Sequence, residues 1–342
     1  MISFIFIFFL FLIFYFTLKK IKFLNQSLTD NDFKKVQSFH AEPTPRIGGL
    51  LIILTILTTY VIFFLKNEII IFIVLIGSIN FILGFLDDLK ILVSPSKRFV
   101  MIIISNLLLI VSFNFSITGF EIIFLDYLNK IFFFKFLLVL MAIFFIINGS
   151  NLIDGFNGLL SIHSLIIFFV LLFLNENYTF NINDLSLYLK FLILISIIFT
   201  FLNFPIAKIF MGDGGAYFLG SQISIISVLI SNNSNIVSPI FIAIILSYLF
   251  FEIFFSVFRK ILEKKNPFFP DRNHLHMLVH DKIKNYKKFS NPLTSLIINL
   301  FYLLLIIPSF SFFDNSTYCF YYFIFLFLIY LVIYMYLRKT VR

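Results

Sequence analysis

Tryptophan does not occur in this chain, cysteine occurs once, and Asp and Glu together number only 17 among 342 residues. A lone Cys319 excludes a disulfide framework and a thiolate-based metal site. Charged residues make up 13% of the chain, where a soluble domain of this length carries roughly a quarter. That shortage excludes a soluble globular protein. What fills the gap is 61% hydrophobic residues, 54 of them Phe, and a mean hydropathy of +1.04. Phe and the other abundant residues have A/T-rich codons while Trp does not, and Phe serves as well as Leu in lipid, so the Phe excess needs no stacking function.

Apolar runs of about 20 residues span a bilayer. Eleven candidates occur, at 2–17, 48–65, 69–86, 99–113, 131–147, 159–174, 188–204, 216–232, 238–257, 293–313 and 318–336. The expected fold is all-α: one polytopic transmembrane domain over residues 1–342 with about 11 transmembrane helices. The first run lacks a basic n-region and a small-residue cleavage site, so it reads as a retained span. Net charge is +9, and all but four of the 26 Lys and Arg (Lys66, Lys130, Lys135 and Lys190) fall in alternate connections or the tail. The positive-inside rule places those connections in the cytoplasm, the N-terminus outside and the C-terminus inside. No compact basic soluble domain exists to bind nucleic acid. The half-apolar segment from Asn114 to Lys130 is expected to lie along the outer interface.

Carboxylates near an apolar medium are costly unless they meet a cation or a substrate. Asp87-Asp88 ends the run 69–86, and the two point about 100° apart on a helix; a solvated acidic turn is the plain alternative. Asn148, Asn151 and Asp154 recur at steps of three, along one stripe of a helix. Met211-Gly212-Asp213-Gly214-Gly215 precedes another run; glycines there expose N–H groups at a helix start, a seat for phosphate, and Asp213 is placed to hold Mg²⁺. Arg272, His274 and His276, in the long basic connection 258–292, supply donors to anions. Arg46, in Pro43-Thr44-Pro45-Arg46, and Lys97-Arg98 are cations held near the membrane surface, which snorkelling anchors explain as well as catalysis does. All these groups fall on the cytoplasmic side by charge counting.

In this order the stretches 43–49, 84–88, 148–158, 210–215 and 270–276 resemble the polyprenyl-phosphate N-acetylhexosamine-1-phosphate transferases. That family includes the undecaprenyl-phosphate GlcNAc-1-phosphate and phospho-MurNAc-pentapeptide enzymes. The resemblance covers about residues 40–280. It implies transfer of a sugar 1-phosphate from a UDP-N-acetylhexosamine to polyprenyl (undecaprenyl) phosphate, with Mg²⁺ and release of UMP, at the cytoplasmic face of a bacterial plasma membrane. By motif match, Asp87 and Asp88 take the place of the catalytic acid pair and Asp213 that of the magnesium-binding aspartate. Asn151 and Asp154 fall in the nucleotide and metal cleft, and His274 and His276 in the histidine motif. Asn148, Asn157, Arg46, Lys97 and Arg272 are expected to bind substrate or phosphate; a homodimer is left open.

Two departures from the family pattern stand out. The family often has a second acid in the central loop where this chain has Asn157. The muramyl-peptide branch carries three consecutive histidines, whereas this chain reads His274-Leu275-His276-Met277, with His40 before the Thr-Pro motif. The pattern is closer to the GlcNAc-type, O-antigen-initiating branch. A prenyltransferase would want acids spaced by three, and Asp87-Asp88 is followed by Leu89, Lys90, Ile91 and Leu92. A transporter would want ionisable groups in mid-span, and Glu252 is the only acid deep within a long run.

Overall fold

A computed structural model of the chain describes residues 2–21, 27–30, 43–91, 94–113, 115–179, 183–267, 269, 271–284 and 289–341. His40, Asn114 and Pro270 lie outside these. The helices are α1 (Ile2–Lys20), α2 (Gly48–Phe63), α3 (Glu68–Asp88), α4 (Pro95–Ser112), α5 (Ile123–Asn129), α6 (Phe132–Ile153) and α7 (Leu159–Tyr178). They continue with α8 (Asn183–Asn203), α9 (Gly212–Asn232), α10 (Pro239–Ile245), α11 (Ser247–Leu262), α12 (Leu275–Ile283), α13 (Ser290–Ile306) and α14 (Ser316–Val341). Helices dominate because a chain so poor in water-seeking side chains must satisfy its backbone internally, and a helix does so within one segment.

Among the described residues, nine helices are long and apolar enough to cross a membrane, and α10 with α11 forms a tenth candidate bent by 75°. The chain is a polytopic membrane protein. The expected count of about eleven is not reached as eleven straight spans, for two physical reasons. The run 238–257 breaks at Leu246, where the hydroxyl of Tyr302 donates to the Ile245 carbonyl at the bend. The run from residue 48 forms only the 16-residue α2, about 24 Å long against a hydrocarbon core of about 30 Å. The all-α expectation also needs one amendment. Thr29–Asp30 (β1) and Thr44–Pro45 (β2) pair antiparallel, Thr29 with Pro45 and Asp30 with Thr44.

The centre of the bundle is α9, almost wholly enclosed and packed chiefly against α3 and α6. Its first three turns carry four glycines and an alanine, so neighbours approach to backbone contact there. A Cβ on Gly84 of α3 would sit 2.5 Å from the Asp213 carbonyl, and one on Gly49 of α2 would sit 2.3 Å from the Gly215 nitrogen. Several of the larger polar side chains buried here find partners, which a lipid-embedded group needs. Gln222 donates to the Ile73 carbonyl (3.1 Å) and accepts from the Tyr188 hydroxyl (2.7 Å). Between α3 and α4, Asn80 and Asn106 exchange amide hydrogen bonds of 3.1 and 3.0 Å, which sets the register of that antiparallel pair.

Candidate active site

Three chain segments converge where α9 begins. The first two N–H groups of α2, Gly48 and Gly49, donate to the carbonyls of Phe210 (2.9 Å) and Met211 (2.8 Å), and Phe210 N–H donates to Pro45 (2.9 Å). The turn before α9 is thereby stitched to the Pro-Thr-Pro-Arg segment. Gly212 takes φ of +77°, a conformation that suits glycine. It lies against Asp88: a Cβ there would meet Asp88 Oδ2 at 2.8 Å.

Asp88, buried at the last turn of α3, accepts the Asp213 N–H at Oδ1 (3.0 Å) and the Gly214 N–H at Oδ2 (3.0 Å). The donors expected to seat a phosphate are therefore occupied by a carboxylate of the same protein. Arg46 Nη1 approaches Asp88 at 3.5 Å, and Arg46 Nη2 bonds Asp30 at 2.5 Å. Burial alone would lower the Arg46 guanidinium, but the charges of Asp213, Asp30 and Asp88 outweigh it and raise it above its ordinary value. Asp30 carried no signal in the sequence; the short β1–β2 pairing brings it to Arg46.

Asp87 projects elsewhere. It shares Arg98 with Asp213: Nη1 of Arg98 pairs with Asp87 and stands 3.4 Å from Asp213 Oδ2. Asp87 and Asp213 are both part-exposed, at 20% and 26% of their side chains, so unlike Asp88 they remain open to a ligand. Lys97, the cation singled out from the sequence, is exposed at the first turn of α4, and its neighbour Arg98 makes the contact. The helical phase of α4, which begins at Pro95, decides between two adjacent basic residues.

Asp154 caps the C-terminus of α6. Its carboxyl is raised well above the ordinary range by burial and by the charge of Asp213, with Arg46 opposing. It faces the same cluster. Asn148 and Asn151 lie on α6 below it; the Asn148 amide donates to the Phe144 carbonyl (2.8 Å), and the Asn151 carbonyl accepts the Asp154 N–H (3.3 Å). Asn157 has a scaffolding position: its N–H donates to Asn291 (2.7 Å) and its side chain to the Pro205 carbonyl (3.0 Å).

The histidines expected to touch phosphate are buried. His274 Nδ1 lies 3.3 Å from Glu252 Oε2, and the His276 ring stacks on it at 5.6 Å and 8°. Burial lowers the His274 pKa, with Glu252 opposing. Arg272, in the same loop, is exposed. Asp271 is raised by burial, but the Arg259 hydrogen bond and the nearby charges outweigh this and pull it down to about 2. Glu252, noticed in the sequence only as a mid-span acid, anchors the loop; its signal was its isolation in an apolar run.

Residues 69–231, which carry α3 through α9 and four of the five clustered acids, match the model for glycosyl transferase family 4. The chain is 32% identical over 250 residues to the undecaprenyl-phosphate alpha-N-acetylglucosaminyl 1-phosphate transferase of Thermotoga maritima, covering 72% of each chain. The chain belongs to glycosyl transferase family 4. Other relatives in this family are a probable undecaprenyl-phosphate N-acetylglucosaminyl 1-phosphate transferase of Bacillus subtilis and a phospho-N-acetylmuramoyl-pentapeptide-transferase of Dictyoglomus turgidum. The first is 32% identical over 243 residues (69% of this chain, 66% of the relative), the second 34% over 209 (56% and 61%). As a family 4 glycosyl transferase the chain is an enzyme, and the acidic cluster at the head of α9 is its candidate active site.

Proposed function

We propose that the enzyme transfers an N-acetylhexosamine 1-phosphate from a UDP-sugar to polyprenyl phosphate, on the cytoplasmic side of a bacterial plasma membrane. An oxygen of the lipid phosphate attacks the sugar-bound phosphorus of the diphosphate. The bond from that phosphorus to the bridging oxygen breaks, and UMP leaves with the electron pair. The observation that carries the reading is the group of Asp87, Asp213 and Asp154 beside Arg98 and Arg46 where the spans end. Names of the relatives supply the acceptor class, undecaprenyl phosphate. The product would start a lipid-linked envelope glycan such as O-antigen.

Repulsion between two phosphates is the main obstacle, and positive groups held in place address it. Arg98 and Arg46 supply fixed charge beside the acids, and Arg272 and Lys97 are exposed cations on neighbouring segments. The lipid phosphate is mostly dianionic near neutral pH, because its second pKa is about 6. A general base therefore helps less than alignment, which favours direct in-line attack over a phospho-aspartate.

The residues present fit Mg²⁺. Asp213, Asp154 and Asp87 offer hard oxygen donors, and burial together with the Asp213 charge raises the Asp154 carboxyl, a penalty that a nearby cation would relieve. Among the described residues no three metal-ligating side chains converge, so one or two of these carboxylates would hold the ion, with substrate phosphates and water completing its shell. When bound, the ion would neutralise the diphosphate. Chelation should stop turnover and added Mg²⁺ restore it.

The deciding measurement is UMP release by purified protein from a panel of UDP-sugars, UDP-GlcNAc and UDP-MurNAc-pentapeptide included, with and without polyprenyl phosphate. Lipid-dependent release is expected, with UDP-GlcNAc preferred. No release with any donor would sink the proposal.

A further inference from the structure

Glu252 is fully buried in α11, the longer half of the bent pair, and faces the histidine loop. Its Oε1 accepts the N–H of Leu275, the first residue of α12, at 3.1 Å. Its Oε2 lies 3.3 Å from Nδ1 of His274 and 3.7 Å from Nδ1 of His276. A buried carboxylate is stable only when its lone pairs are met, and an ionised one can only accept. The His274 proton facing it must therefore sit on Nδ1. On the other side of that ring, Nε2 stands 3.4 Å from Asp271 but makes no hydrogen bond, so the two nitrogens are not equivalent, and Asp271 is itself held by Arg259 through contacts of 3.1 and 2.8 Å. His276, stacked on His274, packs against Phe156 of the central loop, ring centroids 5.8 Å apart and planes at 77°. Phe156 also touches His280 at 5.1 Å. Two residues before Phe156 stands Asp154.

These contacts form one chain of packed groups from the buried Glu252 to Phe156, two residues along the chain from Asp154. We propose that Glu252 is a positioning residue for the phosphoryl transfer: through the His274–His276 stack it fixes Phe156, and with it the loop that presents Asp154. The inference rests on the proposed transferase reading only for its kinetic consequence; the protonation pattern it requires is independent of any substrate.

Glu252→Gln separates the parts. Glutamine keeps a carbonyl oxygen for the Leu275 N–H, but its NH₂ then faces His274 Nδ1, which must turn acceptor and pass its proton to Nε2. Imidazole ¹⁵N spectra of the full-length protein in detergent, assigned with His274→Gln, read this directly. The expected result is an Nδ1–H tautomer at His274 in the wild type and Nε2–H in Glu252→Gln. The variant should remain monodisperse while kcat for UMP release falls about 10–100-fold, the range seen when a carboxylate that orients a metal-ligating histidine is removed. An Nε2–H tautomer in the wild type, or wild-type kcat and KM in Glu252→Gln, would overturn the proposal. Should the variant fail to fold, the wild-type spectrum still decides the protonation pattern. A wild type inactive with every UDP-sugar counts against the transferase reading alone, since the tautomer is read without substrate.

Discussion

Adjacent residues in the chain, Asp87 and Asp88 meet different partners because successive helical side chains diverge by about 100°. Asp88 terminates on two N–H groups of α9 and is sealed in, whereas Asp87 reaches Arg98 and stays part-exposed. A carboxylate at a helix N-terminus is stabilised by both hydrogen bonds and the helix dipole. Asp88→Asn should therefore lower the thermal midpoint of the detergent-solubilised protein, by the equivalent of about 1–2 kcal/mol. Asp87→Asn should leave the midpoint near wild type and cut UMP release by about 10² or more, as removal of a preorganised charge near transferring groups does. Equal midpoints for the two variants would contradict the division of labour. Asp271 sets a second residue-scale expectation. Its folded-state pKa of about 2 lies below the ordinary 3.8, so its contribution is complete above about pH 4 and fades as pH falls towards 2. That contribution is about 2 kcal/mol. The gap in midpoint between wild type and Asp271→Asn should narrow between pH 5 and pH 3; a widening gap would refute the pairing with Arg259.

At the scale of elements, the site depends on how closely α3 and α9 approach. Gly84 is the contact point, where an added Cβ would fall 2.5 Å from the Asp213 backbone. Backbone cannot give way as a flexible side chain can, so Gly84→Ala should push the helices apart at a cost of about 1–3 kcal/mol. It should also separate Asp88 from the head of α9 and lower UMP release; a midpoint and rate both equal to wild type would show that the interface has slack. The glycines of 212–215 were legible in the sequence as a special turn. Their partner was not, because a periodic apolar pattern shows which runs are helices and not which helix end another carboxylate will cap. The same limit explains Arg98. Both Lys97 and Arg98 were visible, and only the start of α4 at Pro95 and its docking on α3 determine which one faces the acids.

For the whole molecule, charge counting predicts that the motifs face the cytoplasm. Cysteine scanning in a Cys319→Ala background tests this with an impermeant maleimide. Lys208 and Asn235 are both exposed and flank opposite ends of α9. A cysteine replacing Asn235 should label in intact cells, and one replacing Lys208 only after permeabilisation; the reverse pattern would invert the topology.

Composition alone determined the class, because a chain with 13% charge has no stable arrangement in water. The order of five short motifs determined the family. Hydrophobic runs located the long helices, with ends off by several residues and the run 238–257 divided in two, since the length needed to cross lipid is a local property. Tertiary structure alone decided the break at Leu246, the commitment of Asp88 to a helix terminus, the pairing of Arg46 with Asp30, and the burial of His274 and His276 on Glu252. Each of these is a contact between residues far apart in the chain. Their energies depend on distance and burial, which exist only once the helices have packed.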